Sequence, residues 1–371
     1  MNRHSLIDQM LLALLCLLPI HAIGGQALHL PADGDPEQAR PLIIHAALDL
    51  AHVRPLLNAF HRRHPRVDIV YRNLTTLSLH ERFLGRPEEV DVMISSAMPW
   101  QFALANAGHA RPLDDATLAD WPAWAHWRRE LIAFTFEPIV MVVHRDLAQI
   151  AATPNNHGEL LALLLEHRQE LKGRVASYDP MRSGAGYAYA MEESRRSPRY
   201  WDLIAALGGV DARLMDTTAE MLDGLEEGHL LIGYNLLGSY AAPIVEANPE
   251  LTLIIPDDYA LVTRRLAFVP RRAPHPDTAT LFMEYLMSRQ GQRTLAEETS
   301  LGALHPALEG PGTATELRER FGDALHSPRL GPGLLVGLDR LKRQALLARF
   351  RREFQRESSG VMDAETATTA D

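Results

Sequence analysis

Residues 177–190 read SYDPMRSGAGYAYA and hold the strongest candidate in the chain for recognition chemistry. Arg182 can form a bidentate, charge-assisted pair with a phosphate or carboxylate. Ser183 can donate through its hydroxyl, Ala185 is small, and Gly184 and Gly186 let a ligand approach the backbone closely. A helix starting here presents N–H groups that have no intrahelical partner, at the positive end of its dipole. Together these features make a cradle for an anion. The same residues also suit a plain helix cap beside a solvated arginine, and spacing alone leaves both readings open. No GK[ST] follows and the pattern is not G-x-G-x-x-G, so neither nucleotide-binding glycine motif is present.

Other candidates come from the ends of the expected strands, where ligands gather in parallel α/β sheets. They are Asp49, Thr75, Ser95 and Ser96 from the first part of the chain, and Tyr234 and Asn235 from a later strand. Hydroxyls, amides and small residues dominate this set, which suits anion binding by hydrogen bonds. Asp49 is expected to orient donors or to receive a ligand hydroxyl.

Acid–base and metal chemistry find little support. HRRH (61–64) reads as a solvated helix face, and His80 with Glu81 lacks the second histidine of H-E-x-x-H. The tryptophans of WPAWAHW (121–127) are expected to pack a loop against the body. No G-x-S-x-G occurs, and no spacing joins Ser, His and Asp into a triad. The expectation is therefore no enzyme, no cofactor and no metal site, with an exported phosphate-ester hydrolase as the competing class.

The elements that must position these residues follow from hydrophobic period. PLIIHAA (41–47), VDIVYRN (67–73) and VDVMISSA (90–97) read as strands. Between the first two, Val53, Leu56, Leu57 and Phe60 share one helical face. Pro55 places that helix start near Ala51 or His52, so that it falls in the first turn. PIVMVVHRD, RVASYDP, HLLIGYN, LTLIIPDD and RLAFVP supply further strands, several alternating with helices. That rhythm predicts an α/β fold with mostly parallel sheets. The long extended runs 134–146 and 254–270 look like a pair of strands crossing between two sheets. Near the end, Leu334, Leu338, Leu341, Ala345 and Phe350 track one helical face with arginines elsewhere. This predicts a capping helix over residues 311–356, ahead of a disordered tail at 357–371.

The chain has 371 residues, 46% of them hydrophobic, and a net charge of −10. That is enough for one large domain or two lobes, and it argues against a nucleic-acid partner. Arg3, an apolar stretch at 10–20 and small residues at Gly25 and Ala27 form the layout of a secretory signal peptide, cleaved after Ala27. The one cysteine, Cys16, lies within it, so residues beyond the cleavage point have neither disulfide nor thiolate. Leu15 stands where a lipid-attachment site needs a small residue.

Residues 273–297, APHPDTATLFMEYLMSRQGQRTLAE, closely resemble the late helical signature of periplasmic solute-binding proteins of ABC transporters. The matching positions are Ala273, Pro274, Pro276, Ala279, Phe282, Tyr285, Leu286, Ser288, Gly291 and Gln292. The resemblance covers about residues 42–308. It points to the type II branch that includes ferric-ion, sugar-phosphate and phosphoglycerate regulatory proteins. FEPIVMVVHRD resembles that branch's crossing strand, YDPMRSGAGYAYA its second-lobe anion helix, and GYNLLGSYA (233–241) another ligand loop. Tyr234 and Tyr240 are separated, unlike the adjacent tyrosine pair of ferric-binding members.

The resemblance implies a two-lobed clamp with a double-strand hinge. Lobe 1 would comprise residues 40–137 and 262–310, and lobe 2 residues 138–261. It implies a periplasmic monomer that captures a small anionic solute, with ferric ion as the alternative. It also implies a partner that reads the closed form, an ABC permease or a membrane sensor histidine kinase.

Overall fold

The computed structural model describes residues 27–368, with side chains through Arg356. The expected signal peptide and Cys16 lie outside the described residues, apart from Ala27. In chain order the first lobe opens with β1 (Ala27–Leu30), β2 (Arg40–Ala46), α1 (Leu50–Arg63), β3 (Val67–Asn73), α2 (Thr76–Gly85), β4 (Val92–Ser95), α3 (Met98–Asn106), β5 (His126–Trp127) and β6 (Leu131–Ala133). The second lobe follows with β7 (Glu137–His144), α4 (His157–Glu166), β8 (Val175–Tyr178), α5 (Gly184–Arg196), α6 (Tyr200–Gly209), β9 (Arg213–Met215), α7 (Thr218–Glu226), β10 (Ile232–Leu237), α8 (Gly238–Ala247), β11 (Leu251–Ile254) and β12 (Ala260–Thr263). The chain then returns through β13 (Leu266–Phe268), α9 (Pro276–Met287) and α10 (Arg289–Glu298). It ends with α11 (Ala314–Phe321), β14 (Leu325–His326) and α12 (Arg340–Thr368).

One sheet runs in the order β1-β3-β2-β4-β13-β6-β5 and the other β14-β12-β7-β10-β8-β9, with β11 also on β7. Both are mixed, whereas the strand–helix rhythm predicts mostly parallel sheets. The crossings explain the difference. β13 comes back from the second lobe and lies antiparallel to both β4 and β6, while β7 lies antiparallel to β10, β11 and β12. The strand–helix–strand units, such as β2 with β3 and β4 or β8 with β9 and β10, stay parallel, as does β12 with β14.

The chain changes sheets at residues 134–136 and again at 264–265. These two crossings are bonded side by side. Phe134 N–H donates to the Arg265 carbonyl at 3.1 Å, and Arg265 N–H donates to Thr135 Oγ1 at 2.8 Å. Gln292 braces the double crossing from α10, its amide donating to the Phe134 carbonyl at 3.1 Å while its oxygen accepts from Leu304 N–H at 2.6 Å.

Local rules account for most elements. Val53, Leu56, Leu57 and Phe60 are buried on one face of α1, as their spacing requires. The helix begins at Leu50, so Pro55 is its sixth residue, past the first turn, and α1 forfeits the bond to the Ala51 carbonyl there. Ala279, Phe282 and Leu286 of α9 are fully buried. Trp121 is buried, and its indole donates to the Ala133 carbonyl at 3.2 Å.

The C-terminal segment departs most from its pattern. Leu334 lies in a 3-10 stretch (Pro332–Leu338) and is buried with the first lobe's core. Leu341 is 68% exposed. The helix starts only at Arg340, so the inward face is Leu346, Phe350 and Phe354, packed against α6 of the second lobe. Gly208 makes this possible, because a Cβ there would overlap the Phe354 carbonyl. Through residues 357–368, read as disordered from composition, the backbone continues as helix.

Candidate functional site

The lobes meet where α5 begins. Ser183 caps it, accepting from Gly186 N–H at 3.2 Å. At Gly184 a Cβ would run into the Trp100 ring and lie 2.7 Å from Thr76 Oγ1, both residues of the first lobe. At Gly186 it would lie 2.6 Å from Tyr178 Cβ, inside the second lobe. The two glycines therefore serve close packing, one between lobes and one within a lobe. Ala185 is buried beside them.

Thr76 opens α2, capped by Thr75, whose hydroxyl accepts from Ser78 N–H at 3.2 Å and bonds the Ser78 hydroxyl at 2.9 Å. Trp100 sits in the first turn of α3. Ser95 and Ser96, buried just ahead of α3, shape the turn into it. Ser95 Oγ accepts from Ala97 N–H at 3.1 Å, and the Ser96 carbonyl accepts from Thr263 Oγ1 at 3.5 Å. The starts of α2, α3 and α5 are thus gathered on one interlobe seam.

A second contact lies nearer the hinge. Asp49, ahead of α1, accepts from Asn73 Nδ2 at 2.5 Å, and its N–H donates to Tyr240 Oη at 3.0 Å. Tyr240 belongs to α8 in the second lobe, and its ring lies 4.0 Å from the His52 ring of α1. Burial, only partly offset by Arg265, raises the Tyr240 pKa to about 12. Burial and Arg265 lower that of His52.

The floor between these contacts is a buried ion pair on the crossing strands. Arg265 Nε lies 3.0 Å from Glu137 Oε1, and the two side chains are 1% and 0% exposed. Arg265 Nη1 also donates to the Ala47 carbonyl at 2.7 Å, and its guanidinium faces the Tyr240 ring at 5.5 Å. Glu137 accepts from Thr135 Oγ1 at 2.6 Å and from the Ser239 hydroxyl. Burial alone would lower the Arg265 pKa, but the Glu137 carboxylate outweighs it and holds the pKa above its ordinary value.

Three residues singled out in the sequence are engaged elsewhere. Arg182 is exposed and pairs with Asp216 at 2.6 Å. Tyr234 is buried inside the second lobe, its hydroxyl donating to Glu193 Oε1 at 2.7 Å. Asn235 Nδ2 donates to Glu193 Oε2 at 2.9 Å, at a φ of +67° where β10 shifts register against β7. The irregularity between Gly233 and Leu236 breaks the alternation of β10, so that these two consecutive side chains both reach Glu193 of α5. His157 joins this network at 3.5 Å from Glu193 and 2.8 Å from Asp258. Burial pushes the His157 pKa down, but hydrogen bonds to Asp258 and Glu193 prevail and raise it to about 9.

Arg265, Glu137 and Tyr240 were missed as site residues. Two of them carried a signal. Charges within apolar runs, as in AFTFEPIVMVV and LVTRRLAFV, must be paired if the strand is buried. On its other side the cleft stays open, a volume of about 450 Å³ bordered by Asp49, His52, Asp223, Glu226, Tyr240 and Glu298 among others, with no lysine or arginine among the described residues that line it.

Comparison with known proteins agrees with this architecture. Residues 46–298 match the family model described as bacterial extracellular solute-binding protein. The chain is 31% identical to the substrate-binding protein of an ABC transporter from Agrobacterium tumefaciens, covering 89% of this chain and 98% of that one with a TM-score of 0.85. Iron-bound HitA from Pseudomonas aeruginosa is 17% identical, covering 85% and 99%, with a TM-score of 0.65. AfuA from Actinobacillus pleuropneumoniae, solved with exogenous fructose-6-phosphate bound, is 13% identical, covering 85% and 98%, with a TM-score of 0.66. No curated protein matches. With two lobes, a double crossing and a family match over most of its length, the chain belongs to the bacterial extracellular solute-binding proteins of ABC transporters.

Proposed function

We propose that the two lobes close on a small anionic solute, a phosphorylated metabolite or a carboxylate, in the periplasm, without turnover. An ABC permease or a membrane sensor histidine kinase then reads the closed form. The observation that carries the anion is the meeting of α2 and α5 through their N-termini, with Gly184 against Thr76. Each helix start bears about half a positive charge, so the two repel at this seam. A negative group between them relieves the repulsion and takes up N–H groups that have no partner within the helices. Ser95, Ser96, Thr75 and Asp49 would serve from the first lobe, and Ser183, Gly184, Ala185 and Gly186 from the second. Tyr240 and Arg265 join them at the floor. Arg182, Tyr234 and Asn235 drop out of the set because Asp216 and Glu193 already hold them.

A second reading rests on the open side of the cleft. Carboxylates at Asp49, Asp223, Glu226 and Glu298 with no opposing lysine or arginine favour a cationic solute there. A thermal-shift screen separates the two. Fructose 6-phosphate, 3-phosphoglycerate and citrate form one arm, spermidine the second and a ferric salt the third. A ligand at a hundred times its Kd adds about 2.7 kcal/mol of stability. A saturable shift with an anion supports the proposal, a shift confined to spermidine assigns the acidic side instead, and a shift confined to iron makes this a ferric-binding protein.

A further inference from the structure

The exposed side of α12 carries a charge pattern opposite to that of the whole chain. Residues 340–356 hold seven lysines and arginines and one carboxylate, Glu353, in a protein of net charge −10. Leu346, Phe350 and Phe354 face the second lobe. At 3.6 residues per turn, Leu341, Ala345 and Ala348 then fall on one outward line, and all three are exposed. Arg340 and Arg351 flank that line on one side, and Lys342, Arg349 and Arg356 on the other.

Among the described residues only part of this positive charge is paired. Glu353 serves Arg349, Arg352 and Arg356, at 3.7, 3.0 and 3.0 Å, and Asp202 of α6 lies 3.8 Å from Arg356. Arg340 and Lys342 form no ion pair among the described residues. A helix face that exists only to be solvated carries acids interspersed with its bases. This one instead has a leucine standing 68% exposed between two rows of long basic side chains, with Val336, 40% exposed, just before it.

We propose that this face of α12 docks on an anionic phospholipid surface. Leu341 and the alanine line enter the headgroup boundary, while the flanking arginines and Lys342 extend sideways to the phosphates. Docking confines the protein near the membrane that holds its permease and raises their encounter rate, whatever solute occupies the cleft.

Co-sedimentation with vesicles tests this. The purified protein is expected to bind vesicles rich in phosphatidylglycerol, to ignore pure phosphatidylcholine and to be released by high salt. The exposed triple variant Arg340→Glu, Lys342→Glu, Arg351→Glu should lose at least about tenfold in vesicle affinity, since each basic residue contributes on the order of a factor of five near such a surface. Its melting temperature and its thermal shift with cleft ligands should match the wild type, which separates this claim from the solute assignment. Absence of binding to anionic vesicles at low salt overturns it, as does equal binding by the triple variant. Binding to an acidic polypeptide but not to vesicles assigns the face to a protein partner instead.

Discussion

At the level of single residues, the interlobe seam depends on what is absent at Gly184. Adding one methyl group there drives it into Trp100 and Thr76, so Gly184→Ala should hold the lobes apart. We expect at least about a tenfold loss of solute affinity, or roughly 1.4 kcal/mol, with little change in unfolding free energy because each lobe keeps its own core. Titration calorimetry beside urea denaturation checks both halves. Glu137→Gln is expected to behave in the opposite way. It leaves Arg265 buried without a counter-charge, which costs roughly 3–5 kcal/mol of stability in urea unfolding. His157 gives a pH signature. Its folded pKa of about 9 lies above the ordinary value, so its contribution is fully present below about pH 6.5 and fades as pH rises through 9. The wild type should lose up to about 3 kcal/mol across that window relative to His157→Gln.

Residue types were legible in the sequence where local rules decide them. The cap at Ser183 and the glycines after it could be read from neighbours alone. What those glycines touch could not, because Trp100 lies far off in the chain and only the lobe arrangement brings it to Gly184. Arg182 looked like the anchor since it stands beside the cap, yet Asp216 takes it. The buried arginine at the site is Arg265, whose partner Glu137 is distant in sequence.

At the scale of elements, periodicity located most strands and helices, and it misjudged those whose shape is set by return paths. A strand's residues do not say whether it runs parallel or antiparallel to its neighbour. β7 and β13 became antiparallel because the chain passes twice between lobes. The apolar spacing after Leu334 fitted one helix, but Pro332–Leu338 winds as 3-10 and α12 starts only at Arg340, and Tyr187 of α5 donates its hydroxyl to the Gly337 carbonyl. The C-terminal segment thereby touches both lobes, through Leu334 in one core and Phe350 in the other. Its seat is testable at Gly208. Gly208→Val should lift α12 from α6 and expose it to trypsin, which has arginines to cut throughout the helix, while the wild type resists. Equal protection in both proteins would show that Phe354 does not pack as described.

For the molecule as a whole, the fold follows from two sheets that share two bonded crossings, and the proposed function rests on what closure would bring together. A ligand touching both lobes stabilises the closed form by the difference in its affinity for the two states. The proposed binding role predicts that the purified protein releases no phosphate from fructose 6-phosphate; release that scales with protein and disappears in a cleft variant would contradict it.

The most direct test of the clamp is the distance between its lobes. Residues 27–371 contain no cysteine, so spin labels at Leu77→Cys in α2 and Leu165→Cys in α4 report on the two lobes cleanly. Both native leucines are partly exposed, at 39% and 42%. Pulsed electron resonance would be recorded with and without saturating fructose 6-phosphate, 3-phosphoglycerate and citrate. The account predicts a broad distribution that collapses to one short distance with at least one of these anions, and a weaker collapse in Gly184→Ala. An interlobe distribution unchanged by all three would contradict closure on a small anion.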